Sequence, residues 1–202
     1  MKILAVADIH GAQYRVNILL ENIKKYSPDL VIVCGDITQF GPGEVAKNFL
    51  NQIPAVTLAL SGNIDTDDVS KAISESKATN IDMKKIVKKS VTFVGINGVN
   101  ENQTYYFFKE NNKILDEKSV LVTHVPPFNT QDKIFMGKHG GSKELRGIVD
   151  KYKPRLVLCG HIHENPGYTK LGNTVIVNCS MGKRGEGALI EINKDVSVKM
   201  LE

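Results

Sequence analysis

Two histidines one residue apart, His161 and His163, follow the apolar run 156–158, Cys159 and Gly160. In an extended chain, side chains two apart point the same way, so both imidazoles can face one target while Ile162 turns back to the core. Neutral imidazole is the commonest protein ligand of transition metals, so metal binding is the chemistry this spacing permits. An isolated His-x-His more often only flanks a turn, and the rest of the chain has to decide.

The arrangement recurs. The run 3–7 ends at Asp8, Ile9 and His10; 30–34 ends at Gly35 and Asp36; 56–60 ends at Ser61, Gly62 and Asn63; and 119–123 ends at His124. Short continuous apolar runs read as strands buried on both faces. In open α/β sheets, ligands bind beyond the carboxyl ends of such strands, so residues far apart in sequence can meet there. Asp8, His10, Asp36, Asn63, His124, His161 and His163 provide enough nitrogen and oxygen donors for two metals. With Asp36 as a bridge, one ion takes Asp8, His10, Asp36 and His163, and the other takes Asp36, Asn63, His124 and His161. Two divalent cations would outweigh the two carboxylates and leave an excess of positive charge for an anion such as phosphate.

The intervening segments supply the scaffold. Val16, Leu19, Leu20 and Ile23 recur at helical spacing until Ser27 and Pro28, which makes a βαβ unit with the flanking runs. Pro42 and Gly43 introduce a short helix burying Val45, Phe49 and Leu50. Thr66 reads as an N-cap, with Asp67 and Asp68 in the first turn, where the helix dipole favours carboxylates. The segments 81–88 and 91–96 read as short antiparallel strands. A polar and aromatic stretch with Asn97, Asn100, Asn102, Tyr105, Tyr106, Phe107 and Phe108 then reads as a lid or partner-facing loop. Leu145, Ile148, Val149 and Tyr152 give a helix closed by Pro154, and strands are expected at 174–177, 188–192 and 196–200. The expectation is one α/β domain over residues 1–202.

The chain has 202 residues, 42% of them hydrophobic, enough for a sizeable core. Its net charge of +4 comes from well-mixed residues, and the cluster of Lys84, Lys85, Lys88 and Lys89 is explained by a solvated face, so nucleic acid is disfavoured as a partner. Cys34, Cys159 and Cys179 sit in or at the end of apolar runs and read as reduced buried thiols, which points to the cytoplasm. The first residues form a strand and not a leader, and no apolar stretch reaches membrane length, so no membrane partner is expected.

Together the five strand ends resemble the calcineurin-like metallophosphoesterases, whose motifs run DxH, GDx, GN, H and GHxH in this order. Here these are Asp8 to His10, Gly35 with Asp36, Gly62 with Asn63, His124, and Gly160 to His163. The segments 35–42 and 137–147 and the ending GHIHE resemble a compact branch related to cyclic-nucleotide phosphodiesterases. The resemblance implies a two-sheet α/β sandwich, the ligand partition given above, and hydrolysis of a small phosphoester by a metal-bridging hydroxide. Nucleotides are among the candidate substrates, and a homo-oligomer remains open. A shell without thiolates suits Mn²⁺, Fe, Co²⁺, Ni²⁺ or Zn²⁺, with Mn²⁺ expected to support activity in vitro. The alternatives are a catalytically silent scaffold of the same fold, or a nuclease of the DNA-repair type.

One position departs from the pattern: many members carry a histidine after the GN asparagine, where this chain has Ile64. His139, in a glycine-bearing loop, is the candidate substitute proton donor, with Asp65 a poorer one. Asn63 and His124 are expected to act in catalysis as well as in metal binding. Gly140, Gly141 and Ser142 read either as an anion site or as ordinary helix capping. Arg15 and Arg146 read as surface residues before phosphate contacts.

Overall fold

The computed structural model describes residues 1–182 and 185–202. The chain runs β1 (Lys2–Val6), α1 (Gln13–Tyr26), β2 (Leu30–Cys34), α2 (Gly43–Gln52), β3 (Thr57–Leu60), α3 (Asp67–Glu75) and β4 (Thr79–Asn80). It continues with β5 (Lys84–Lys88), β6 (Val91–Gly95), α4 (Glu101–Glu110), β7 (Val120–Val122), α5 (Lys143–Tyr152) and β8 (Leu156–Cys159). Last come β9 (Gly167–Leu171), β10 (Thr174–Asn178), β11 (Ala188–Ile192) and β12 (Val196–Met200).

Two six-stranded mixed sheets result, in the orders β12-β11-β1-β2-β3-β4 and β5-β6-β7-β8-β10-β9. The strands that lead into the candidate ligands are parallel with their sheet neighbours β1–β3 and β6–β8. Each sheet is finished by antiparallel strands, β11 with β12 in one and β5 and β9 in the other. The architecture is an α/β sandwich of four layers.

The period of two along each strand explains the layering. Ile3, Ala5, Ile32, Leu58 and Leu60 of the first sheet pack against Phe93, Val120, Val122, Leu156 and Leu158 of the second. Leu4, Val6, Val31 and Val33 face the other way, onto Val16, Leu19, Phe49, Leu50, Val69 and Ile73 of the first three helices. Val94, Leu121 and Val157 likewise meet Phe107, Phe108, Leu145, Ile148 and Val149 of α4 and α5. Covering both faces is what makes these strands uninterrupted apolar runs.

Two expectations need correction. The stretch read as a lid is helix α4, started by the Asn100 side chain accepting from the Gln103 N–H at 3.1 Å. Thr104, Phe107 and Phe108 are its buried face, whereas Tyr105 and Tyr106 point to solvent. In α2 it is Ala46 that joins Phe49 and Leu50 in the core, with Val45 only half-buried. Strand β9, an edge strand with alternating half-buried and exposed residues, was not foreseen. Cys34, Cys159 and Cys179 are free and buried. Among the described residues, no helix is long and apolar enough to cross a membrane.

Candidate metal centre

The ends of β1, β2, β3, β7 and β8 open at one edge of the sandwich and carry Asp8, His10, Asp36, Asn63, His124, His161 and His163. Turning each side chain from its strand into the shared space bends the backbone sharply. Asp8, His10, Asp36 and His161 have φ of 62°, 53°, 50° and 68°, the left-handed region that costs a non-glycine residue roughly 1–3 kcal/mol. The loops also approach very closely. A Cβ on Gly62 would collide with the Asp36 carboxylate, and one on Gly160 with Ala7 and, at 2.9 Å, with Asp8 Oδ2.

Two groups of potential ligands form, Asp8 with His10 and His163, and Asp36 with His124 and His161. His10 Nε2 and His163 Nε2 lie 3.0 Å apart, and Asp8 Oδ1 is 3.4 Å from the latter and 3.9 Å from the former. In the other group, His124 Nε2 is 2.8 Å from Asn63 Oδ1 and 3.4 Å from Asp36 Oδ2. His124 Nδ1 donates to the Cys34 carbonyl at 2.9 Å. In the neutral ring Nε2 is therefore a lone pair, and it faces two oxygen lone pairs with no hydrogen among them. Such a convergence repels unless a cation, a proton or a metal ion, occupies it. The donor chemistry fits divalent metals: imidazole and carboxylate with no thiolate, and an imidazole oriented from behind by a carbonyl.

The protonation pattern of these side chains reflects the same crowding. Burial would raise Asp8, but hydrogen bonding to His163 and the His124 charge outweigh it and hold the carboxyl below its ordinary value. The Asp8 hydrogen bond raises His163 against burial. Burial pulls His124 down, and the hydrogen bond and charge of Asp36 overcome it, so this ring is also raised. His10 and His161 are lowered, chiefly by burial. The charges of both Asp8 and Asp36 act on all four imidazoles, which shows how closely the two groups adjoin.

Outer contacts hold these groups in place. Asp65 accepts from Ile37 N, Thr38 N, Thr38 Oγ1 and Gly62 N at 2.8–3.0 Å, clamping the Asp36 loop to the Asn63 loop. Its carboxylate is thus committed to structure and not to proton donation. Arg15 donates from Nη1 to the carbonyls of Asp8 and Ile9 at 2.7 and 3.2 Å, so it supports the first loop from behind. Arg146 pairs with Asp150 and donates to the Phe128 carbonyl. Ile64 contributes only its backbone N–H, which donates to Asp36 Oδ1 at 3.1 Å.

His139 is outside both ligand groups. Its Nδ1 donates to Asp132 Oδ1 at 2.7 Å, and the fully buried Asp132 carboxylate also accepts from Asn129, Thr130 and Gly141 N–H groups. Asp132 escaped the reading of the sequence because a lone acid in an irregular loop carries no signal. The anion-site reading of the glycine run is overturned: Gly140 N donates to the Asp132 carbonyl, Gly141 N to its side chain and Ser142 N to the Pro126 carbonyl. Ser142 is an ordinary N-cap, accepting from Leu145 N at 3.1 Å.

With this fold and this cluster, the chain belongs to the calcineurin-like phosphoesterases, whose family model matches residues 1–165. It is 35% identical over 197 residues to the uncharacterized protein MJ1162 of Methanocaldococcus jannaschii, covering 89% of this chain and 88% of that one. It is 27% identical over 213 residues to the probable glycerophosphodiester phosphodiesterase GpdQ of Arcobacter nitrofigilis, covering 96% of this chain and 77% of the relative. The crystal structure of TT1561 of Thermus thermophilus superposes with a TM-score of 0.75 over 100% of this chain and 99% of that one, at 12% identity. That likeness bears on the fold alone. The family is one of metal-dependent hydrolases, and two candidate metal groups are present here.

Proposed function

We propose that the chain is a dinuclear metal-dependent phosphoesterase that favours phosphodiesters. The observation that carries this is the convergence of His124 Nε2, Asn63 Oδ1 and Asp36 Oδ2, beside a second convergence of His10 Nε2, His163 Nε2 and Asp8 Oδ1. Asp8, His10, Asp36 and His163 would hold one divalent ion, and Asp36, Asn63, His124 and His161 the other. When bound, such a pair supplies hydroxide near neutral pH and neutralises charge on the phosphoryl oxygens. Mn²⁺ is the expected activator in vitro, with Fe, Co²⁺, Ni²⁺ and Zn²⁺ as alternatives for the same donors.

The protein's own groups then position the ester. Asn63 is exposed at the mouth beside the buried His124, so its amide can hold a phosphoryl oxygen as well as a metal. A cavity of about 540 Å³ adjoins His163 and is bordered by Glu164, Pro166, Met200 and Leu201, space for the alcohol part of a diester. His139 donates its Nδ1 hydrogen to Asp132, and as the imidazolium it would carry a second proton, on Nε2, to give to the departing alkoxide. The name of the Arcobacter relative supports a diester over a monoester, and the buried free thiols support a reducing compartment such as the cytoplasm.

The test is hydrolysis of bis-p-nitrophenyl phosphate by metal-stripped protein with each metal restored in turn. Turnover with Mn²⁺ and its loss in Asp36→Asn are expected. No turnover with any metal would end the enzymatic reading.

A further inference from the structure

Beside the metal centre, residues 133–139 form a narrow hairpin. Lys133 pairs with His139 in antiparallel register, and Ile134 N donates to the Lys138 carbonyl at 2.8 Å. Its base is bonded to the loop carrying His161 and His163. Lys133 N donates to Asn165 Oδ1 at 3.1 Å, and Asn178 Nδ2 donates to the carbonyls of both Ile162 and Gln131. At the tip stand Phe135 and Met136, 81% and 79% exposed, the two most exposed large hydrophobic side chains among the described residues. Met136 has φ 63° and ψ 19°, a region that bulky side chains seldom occupy. Neither the hydrophobic effect nor backbone preference within the folded chain explains such a tip.

The charges beside it indicate what covers it. Lys133 and Lys138 flank the tip and are exposed, while the adjacent acid, Asp132, is buried and bound to His139. An apolar point between two ammonium groups matches the boundary of a lipid layer, where the ring and thioether enter the acyl region and lysines reach phosphate headgroups. We infer that this hairpin docks the protein on anionic phospholipid bilayers, with Phe135 and Met136 in the interface and Lys133 and Lys138 against the headgroups. Docked this way, the protein turns the metal-centre edge toward the bilayer surface. The expectation of no membrane partner rested on the lack of a leader and of a spanning segment, and a peripheral contact needs neither.

The experiment is sedimentation of the whole protein with vesicles of phosphatidylcholine alone or mixed with phosphatidylglycerol. Binding to the mixed vesicles is expected, falling about ten-fold in the F135S/M136S variant and about five-fold for each lysine changed in K133Q/K138Q. All four positions are exposed, and an unchanged melting temperature will show that the variants fold. Because Cys34, Cys159 and Cys179 are buried, an environment-sensitive dye on Met136→Cys reports the tip alone, and its emission is expected to shift to the blue on mixed vesicles. No binding to mixed vesicles overturns the inference, as does binding that F135S/M136S leaves intact. A dimer that F135S/M136S dissociates, in protein that ignores vesicles, overturns it in favour of a second copy of the chain. None of these readouts requires turnover, so failure here is distinct from failure of the phosphoesterase reading.

Discussion

His10 Nε2 and His163 Nε2 face each other at 3.0 Å although 153 residues separate them. Two nitrogens bound to one ion at about 2.1 Å come to roughly this separation when they sit at right angles. We expect His163→Ala to lower the metal content from two ions per chain toward one, with the Asp36 group still occupied. Elemental analysis of dialysed protein checks this, and an unchanged stoichiometry would remove His163 from the ligand set.

Asp65 tests whether the loops must be held for the metals to bind. Its carboxylate receives three backbone N–H groups and the Thr38 hydroxyl. Asp65→Ala leaves those donors without a partner, at a cost of about 2 kcal/mol, and metal affinity should fall about 10–100-fold. Denaturant titration and calorimetric metal binding measure the two effects. A full loss of stability with no change in affinity would confine Asp65 to the fold.

Proton competition sets a pH dependence. His163 is raised first by its Asp8 hydrogen bond, and His124 is raised by Asp36 in spite of burial, both from an ordinary 6.5. A raised folded-state pKa means that the protonated ring stabilises the metal-free fold fully below 6.5, and that this contribution is lost as pH rises through the raised value. Ligation needs the neutral ring, so affinity should climb over that same interval, about ten-fold per pH unit for each proton displaced. Competition with a chelator across neutral pH measures it, and a flat profile would contradict the assignment.

His139 should matter most where the leaving group is poor. His139→Gln is expected to slow hydrolysis of an alkyl diester about 10²-fold while barely changing that of bis-p-nitrophenyl phosphate, whose phenolate leaves without help. Equal losses on both substrates would assign His139 to holding the loop through Asp132.

Gly62 and Gly160 are spaced by contact with the ligands themselves. Gly62→Ala should displace the Asp36 carboxylate and deplete bound metal, although no ligand has been changed. Gly147→Ala, where the added carbon meets nothing within 4 Å, is the control expected to be silent.

The strand ends were legible because burial on both faces writes an apolar run, and the polar residue that breaks it marks where the strand stops. Helix α4 was not, since four consecutive aromatics hide the 3.6-residue period that separates Phe107 and Phe108 from Tyr105 and Tyr106. Strand β9 was missed because Gly167, Tyr168, Thr169 and Lys170 lack the apolar alternation that Val196, Val198 and Met200 give the equally exposed edge strand β12. The left-handed backbone of Asp8, His10, Asp36 and His161 has no signal in residue type, because the surrounding packing imposes it. Asp132 was invisible for a related cause: its four partners meet only after the loop has closed.

The two ligand groups share one property of construction. Asp8 and His10 leave the first sheet and meet His163 from the second; Asp36 and Asn63 leave the first and meet His124 and His161 from the second. Neither half of the sandwich owns a complete set. On the proposed reading, metal uptake would be a proofreading step for assembly: a chain whose sheets have not come together would have only fragments of a chelate, and one that has closed correctly would gain a bolt across the seam.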